Sequence, residues 1–176
     1  MSCSGTPEVF DIAIAGGGIV GLVLARLLGT GLQQAGLQRR IALLEPQPPR
    51  PVAPDAGIDL RVSALSPASR AVLQNAGIWE LLPANKVSAY EQMCVWQSGT
   101  SIAGTHSIRF SAAELGEPDL GYVIENRAIR QAAWQQAVAA GIQVFGTSPA
   151  ASVVEHPDYC TITFEDGAQL NARLIV

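Results

Sequence analysis

Gly16, Gly18 and Gly21 stand in a G-x-G-x-x-G spacing directly after an apolar run, Phe10-Asp11-Ile12-Ala13-Ile14-Ala15. That spacing suits the holding of a diphosphate. A glycine at 16 lets the chain turn sharply out of a strand, and a bare backbone at 18 admits phosphate oxygens closely. A glycine at 21 lets the following helix lie hard against the sheet. The N–H groups that open this helix carry partial positive charge and face the anion. A second apolar run, Arg40-Ile41-Ala42-Leu43-Leu44, ends on Glu45. An acid at the tip of the second strand is placed to accept the hydroxyls of an adenosine ribose. Together these features read as a dinucleotide cradle. The plainer alternative is a tight strand-to-helix turn without a ligand.

The elements that position these residues are legible around them. Ile19, Val20, Leu22, Val23, Leu24, Leu27 and Leu28 predict a largely buried helix after the glycines. The connection back to the second strand is long, with Gly29-Thr30-Gly31 and Gln33-Gln34-Ala35-Gly36, and reads as a helix extension or a surface loop. Gln47 to Gly57 is dense in proline, which excludes a helix or a central strand. Asp59 to Leu65 is extended, and Ser66-Pro67 predicts an N-cap and first helical residue for a helix ending at Gly77. Ile78-Trp79 and Leu81-Leu82 are expected to pack beneath it.

From Tyr90 to Phe110 the pattern changes to short strands, with Met93, Val95, Ile102, Ile108 and Phe110 alternating with polar residues about a turn at Ser98-Gly99. Gly121 to Asn126 is extended and leads into a helix from Arg127 to Ala140, with Ile129, Ala133, Trp134 and Val138 on its apolar face. Arg127 and Arg130 read as solvent-facing. Ile142 to Phe145 predicts a parallel strand. The remainder predicts a meander with turns at His156-Pro157-Asp158 and Glu165-Asp166-Gly167. A pure nicotinamide domain keeps alternating helix and strand, so the meander points to the flavin type of dinucleotide fold.

The bulk composition narrows the classes. The 176 residues are 48% hydrophobic and 15% charged, enough apolar material for a globular core. A net charge of -4 offers no basic stripe for nucleic acid. Cys3, Cys94 and Cys160 are odd in number and scattered, which disfavours a disulfide framework and suggests a reduced, cytoplasmic compartment. His106 and His156 stand alone, so no metal site is expected and both read as surface residues. No stretch reads as a membrane span or a secretory signal; contact with a membrane surface is left open.

Three stretches carry a resemblance. Asp11 to Gly21, Leu60-Arg61-Val62-Ser63-Ala64-Leu65-Ser66-Pro67-Ala68-Ser69 with Gly77-Ile78-Trp79, and Gly121-Tyr122-Val123-Ile124-Glu125-Asn126 with Ala133-Trp134 are similar to the ubiquinone-biosynthesis hydroxylases. These are FAD-dependent aromatic monooxygenases related in fold to p-hydroxybenzoate hydroxylase. The resemblance implies an α/β fold: a Rossmann-like FAD-binding βαβ unit, a β-meander, and the beginning of a β-rich substrate domain. It divides the chain into residues 1–85 and 121–176 of an FAD-binding domain, with residues 86–120 opening a substrate-side segment.

By that resemblance Gly16, Gly18 and Gly21 cradle the FAD pyrophosphate and Glu45 holds the adenosine ribose. Arg61 sits on the flavin side, and Asn126 falls where the wider group places an Arg or Gln near the ribityl–phosphate region. Asn126 equally suits a helix cap, Arg61 a solvated loop and Glu45 a surface position. The implied reaction takes electrons from NAD(P)H and oxygen from O2 and hydroxylates a polyprenylated phenol. No catalytic side chain is assigned; the chemistry belongs to the cofactor.

Possible partners are other ubiquinone-biosynthesis proteins and, peripherally, the inner membrane. The sequence ends at Asn171 to Val176, before the Ala-Asp-Gly segment these enzymes carry, so an inactive N-terminal fragment is expected. Two other readings stay open: a non-catalytic assembly partner, and an oxidase or dehydrogenase of the amine or amino-acid type.

Overall fold

A computed structural model describes residues 8–53, 56–146 and 148–176. Cys3 and the Pro54-Asp55 step of the proline-dense loop lie outside the described residues. In chain order the elements are β1 (Val9–Ala15), α1 (Ile19–Gln34), β2 (Ile41–Leu44), β3 (Val62–Leu65), α2 (Pro67–Asn75), β4 (Val87–Tyr90) and β5 (Gln92–Trp96). There follow β6 (Ser107–Ser111), α3 (Ala112–Leu115), β7 (Gly121–Glu125), α4 (Asn126–Ala139), β8 (Gln143–Phe145), β9 (Ala150–Glu155), β10 (Cys160–Phe164) and β11 (Gln169–Ile175). The chain divides into two compact units, one formed by Met1–Pro51 with Arg130–Val176 and the other by Val52–Ile129.

The first unit is built on a six-stranded sheet in the order β8-β2-β1-β11-β10-β9. β1 runs parallel to both β2 and β11, and β2 parallel to β8, while β9, β10 and β11 form the antiparallel meander. All four residues of β2 are buried, the uniform apolar character expected of an inner parallel strand. A core cluster includes Phe10, Ala13, Leu44, Ile162, Phe164 and Ala172, with Phe145 against it. Phe10 and Phe145 meet edge to face at 5.4 Å. The long connection after the glycines is helix rather than loop: α1 continues through Gly29, Thr30 and Gly31 to Gln34. Gly29 has a packing reason, since a Cβ there would stand 3.0 Å from the Ile142 side chain.

The second unit holds a three-stranded antiparallel sheet, β3-β7-β4, and a separate ribbon of β5 with β6. α2 begins as expected, with the Ser66 hydroxyl accepting from the Ser69 N–H at 3.2 Å and Pro67 in the first turn. Ile78 and Leu82 are buried behind it, whereas Leu81 is exposed. The ribbon pairs Met93 with Phe110 and Val95 with Ile108, as read from the sequence, whereas Ile102 lies in the turn region between the two strands rather than in the alternation, and a turn bonds Thr100 N–H to the Gln97 carbonyl.

α4 starts at Asn126 rather than Arg127. Its buried face is made chiefly of alanines (Ala128, Ala132, Ala133 and Ala137) with Ile129, and Val138 is half exposed instead of lying on that face. Ile129 and Ala133 are the residues expected on that face, and Ala128, Ala132 and Ala137 join them.

Candidate functional site

The glycine turn sits at the end of β1 and the start of α1. Gly16 has φ +113°, a conformation that side chains resist, and its N–H donates to the Leu44 carbonyl at 2.9 Å. A Cβ at Gly21 would stand 2.1 Å from the Gly16 carbonyl oxygen, so α1 can lie this close to the turn only with glycine there. Gly18 differs from both. Its backbone is extended (φ −72°, ψ 177°), and an added Cβ would meet nothing within 4 Å. Among the described residues, nothing packs where a side chain at 18 would stand. The face in front of it is open backbone, a shape that would admit a diphosphate. Among the described residues no side chain caps α1, and its first turn holds no acid, so its opening N–H groups have no side-chain acceptor there.

Glu45 follows β2 and turns back over this loop. Its Oε2 accepts the Gly17 N–H at 2.7 Å and its Oε1 the Gln47 N–H at 2.8 Å. A carboxylate has about four acceptor positions, so these two bonds do not exhaust it. The four residues of the predicted diphosphate and ribose set, Gly16, Gly18, Gly21 and Glu45, therefore come together in one unit. They fit an adenosine diphosphate moiety: a Cβ-free face, an uncapped helix start and an anchored acid.

Arg130, which reads from sequence as solvent-facing, belongs to the same cluster. Its Nε donates to the Gly17 carbonyl at 2.7 Å, its Nη2 donates to the Gln47 carbonyl at 2.5 Å, and Nη2 lies 3.4 Å from Glu45 Oε2. Its side chain is 29% exposed. Arg127 is also engaged rather than solvated. A signal for both was present in the sequence. The start of a helix carries partial positive charge and disfavours cations, so arginines at the second and fifth positions of α4 need acceptors elsewhere.

Arg61 and Asn126 lie next to one another in the second unit. The Asn126 N–H donates to the Arg61 carbonyl at 3.0 Å, and Asn126 Oδ1 accepts the Ser63 hydroxyl at 2.7 Å. These bonds tie the head of α4 to β3, and the Arg61 side chain is exposed.

Beside them Glu125 is buried, 3% exposed, between two cations. Lys86 Nζ stands 2.9 Å from Oε1 and Arg127 Nε 2.7 Å from Oε2. The Lys86 ammonium, reinforced by Arg127 and opposed by burial, lowers the pKa of the Glu125 carboxyl from 4.5 to about 2. Both cations also reach the incoming loop: Lys86 donates to the Ala56 carbonyl at 2.8 Å, and Arg127 donates to the Gly57 carbonyl. The node thus pins the segment that leads to Arg61.

A doubly wound strand-turn-helix with a meander closing the sheet defines a class. This is the fold of the FAD-binding monooxygenases of the p-hydroxybenzoate hydroxylase type. p-Nitrophenol 4-monooxygenase from Pseudomonas putida matches over 97% of this chain and 40% of its own, with a TM-score of 0.67 at 18% identity. A flavin-dependent halogenase from Xanthomonas campestris matches over 96% of this chain and 42% of its own, with a TM-score of 0.69 at 15% identity.

In sequence the chain is homologous, over 97% of its length, to the ubiquinone-biosynthesis hydroxylases. It is 33% identical to the 3-demethoxyubiquinol 3-hydroxylase of Escherichia coli over 173 residues, and covers 41% of that enzyme. It is 29% identical to the mitochondrial ubiquinone biosynthesis monooxygenase of Mus musculus over 184 residues, 37% of that protein. The chain therefore spans about two fifths of the length of the curated relatives it matches. No family model matches it. Among the described residues, no helix is long and apolar enough to cross a membrane.

Proposed function

We propose that this chain holds the adenosine-diphosphate end of FAD for a ring hydroxylase acting on a polyprenylated phenol, with NAD(P)H as electron donor and O2 as oxygen source. The observation that carries the reading is the joint geometry of Gly18 and Glu45: glycine where the chain's own packing does not need it, beside an acid held with acceptor positions to spare. Gly16 and Gly21 set the turn, the opening N–H groups of α1 receive phosphate oxygens, and Glu45 receives the ribose hydroxyls.

Bound FAD supplies the redox chemistry, and the overall reaction converts phenol, O2, NAD(P)H and a proton to the ring-hydroxylated product, water and NAD(P)+. Arg61 and Asn126 are assigned to the flavin–ribityl side of the cofactor. Residues 1–85 and 121–176 form the FAD-binding part in this reading, and residues 86–120, with their exposed apolar ribbon, open the substrate-side part. A polyprenyl tail partitions into bilayers, so such a substrate is met at a membrane surface.

Equilibrium titration with FAD and with FMN tests this. FMN shares the flavin and lacks the adenosine, so the account expects FAD to bind and FMN to bind at least tenfold more weakly, about 1.4 kcal/mol. Equal binding of the two would sink the assignment of the glycine turn.

A further inference from the structure

Gly17 and Gln47 each present one N–H and one carbonyl to the same pair of side chains. Glu45 takes both N–H groups, at 2.7 and 2.8 Å, and Arg130 takes both carbonyls, at 2.7 and 2.5 Å. The carboxylate and guanidinium close the ring between them at 3.4 Å. The result is a four-point clasp joining the glycine turn to the residues after β2, with its cation delivered by α4 from 113 positions along the chain.

We infer that Arg130 is a positioning residue for the ribose-binding acid, an assignment that rests on the adenosine-diphosphate reading of this site. Glu45 is attached to the fold at its own backbone and through the two N–H groups it receives. Gln47 lies in the exposed segment beyond β2, and the Gly17 peptide is part of a turn without side chains. Arg130 fixes the carbonyl sides of the same two residues, so the N–H groups that aim the carboxylate hold their directions. Its charge also offsets that of Glu45 beside a loop meant to receive a diphosphate. The planar guanidinium is suited to this because two of its N–H groups span two carbonyls at once, which a lysine ammonium does less well.

The test separates aiming from simple stability. The dissociation constants of ADP and of 2′-deoxy-ADP are measured for the wild type, Glu45→Ala, Arg130→Met and Arg130→Lys, each with its Tm. A hydrogen bond from the 2′-hydroxyl to a well-aimed carboxylate predicts about a tenfold preference for ADP in the wild type and none in Glu45→Ala. Arg130→Met is expected to retain a folded chain and to lose most of that preference, with Arg130→Lys in between. A thermal destabilisation alone would weaken both ligands equally and leave the ratio intact.

A wild-type preference persisting in Arg130→Met overturns the inference while leaving the site standing. If Arg130→Met does not fold, an unchanged ratio in Arg130→Lys overturns it instead. A wild-type protein that shows no preference, or binds neither ligand, overturns the reading of Glu45 itself and the inference with it.

Discussion

Replacing Gly18 and Gly21 by alanine, one at a time, separates what the ligand needs from what the fold needs. At Gly18 the backbone is extended and an added Cβ meets nothing within 4 Å, so alanine fits sterically. Alanine is a poorer N-cap than glycine by about 0.5–1 kcal/mol. Its restriction of the unfolded chain offsets about 0.4–1 kcal/mol. The net change in stability is close to zero, a Tm shift of at most about 2 °C for a chain of this size.

At Gly21 the same methyl would stand 2.1 Å from the Gly16 carbonyl oxygen and 3.3 Å from its carbon. Both are backbone atoms, so α1 must move away from the turn. Overpacking of this kind costs about 1–3 kcal/mol. Alanine's better helix propensity returns up to about 1 kcal/mol, leaving a drop of several degrees. Calorimetry and FAD titration of both variants form the assay. Gly18→Ala is expected to melt like the wild type and bind FAD at least tenfold more weakly, about 1.4 kcal/mol. Gly21→Ala is expected to fall in both. A Gly18→Ala protein that binds as tightly as the wild type would refute the claim that the open face at Gly18 receives the diphosphate.

Glu125 makes stability depend on acid. Its carboxyl is lowered from 4.5 to about 2, so its contribution is complete above pH 4.5 and is lost as the pH falls towards 2. The Tm difference between the wild type and Glu125→Gln should therefore shrink across that window; a constant difference would show that the Lys86 and Arg127 pairing is not what holds the charge. Ser66→Ala removes the hydroxyl that caps α2 and should cost about 1 kcal/mol, or about 2–4 °C in Tm, measured by thermal melting.

The parts of this chain governed by local chemistry were legible before its structure. The glycine spacing, the apolar β1 and β2, the Ser66-Pro67 helix start and the period-two ribbon all follow from backbone conformation and alternation within a few residues. What escaped the sequence is long-range. Arg130 reaches carbonyls 113 and 83 positions away, and nothing near it in sequence names those acceptors. On α4, Ile129 and Ala133 lie on the buried face as read, Val138 does not, and Ala128, Ala132 and Ala137 complete that face with side chains that weigh little in a hydrophobic pattern. The cue that was available, cations at a helix start, says only that partners exist and not which ones. Glu125 escaped for the same reason, since Lys86, one of the two cations that hold it, comes from a distant segment.

The most direct test of the central claim is competition between FAD and ADP for the purified chain, followed by the flavin absorbance band and by calorimetry. ADP is expected to displace FAD competitively, because both place the same diphosphate and ribose against Gly18 and Glu45. FAD binding left undiminished by saturating ADP, or no binding of either, would contradict it.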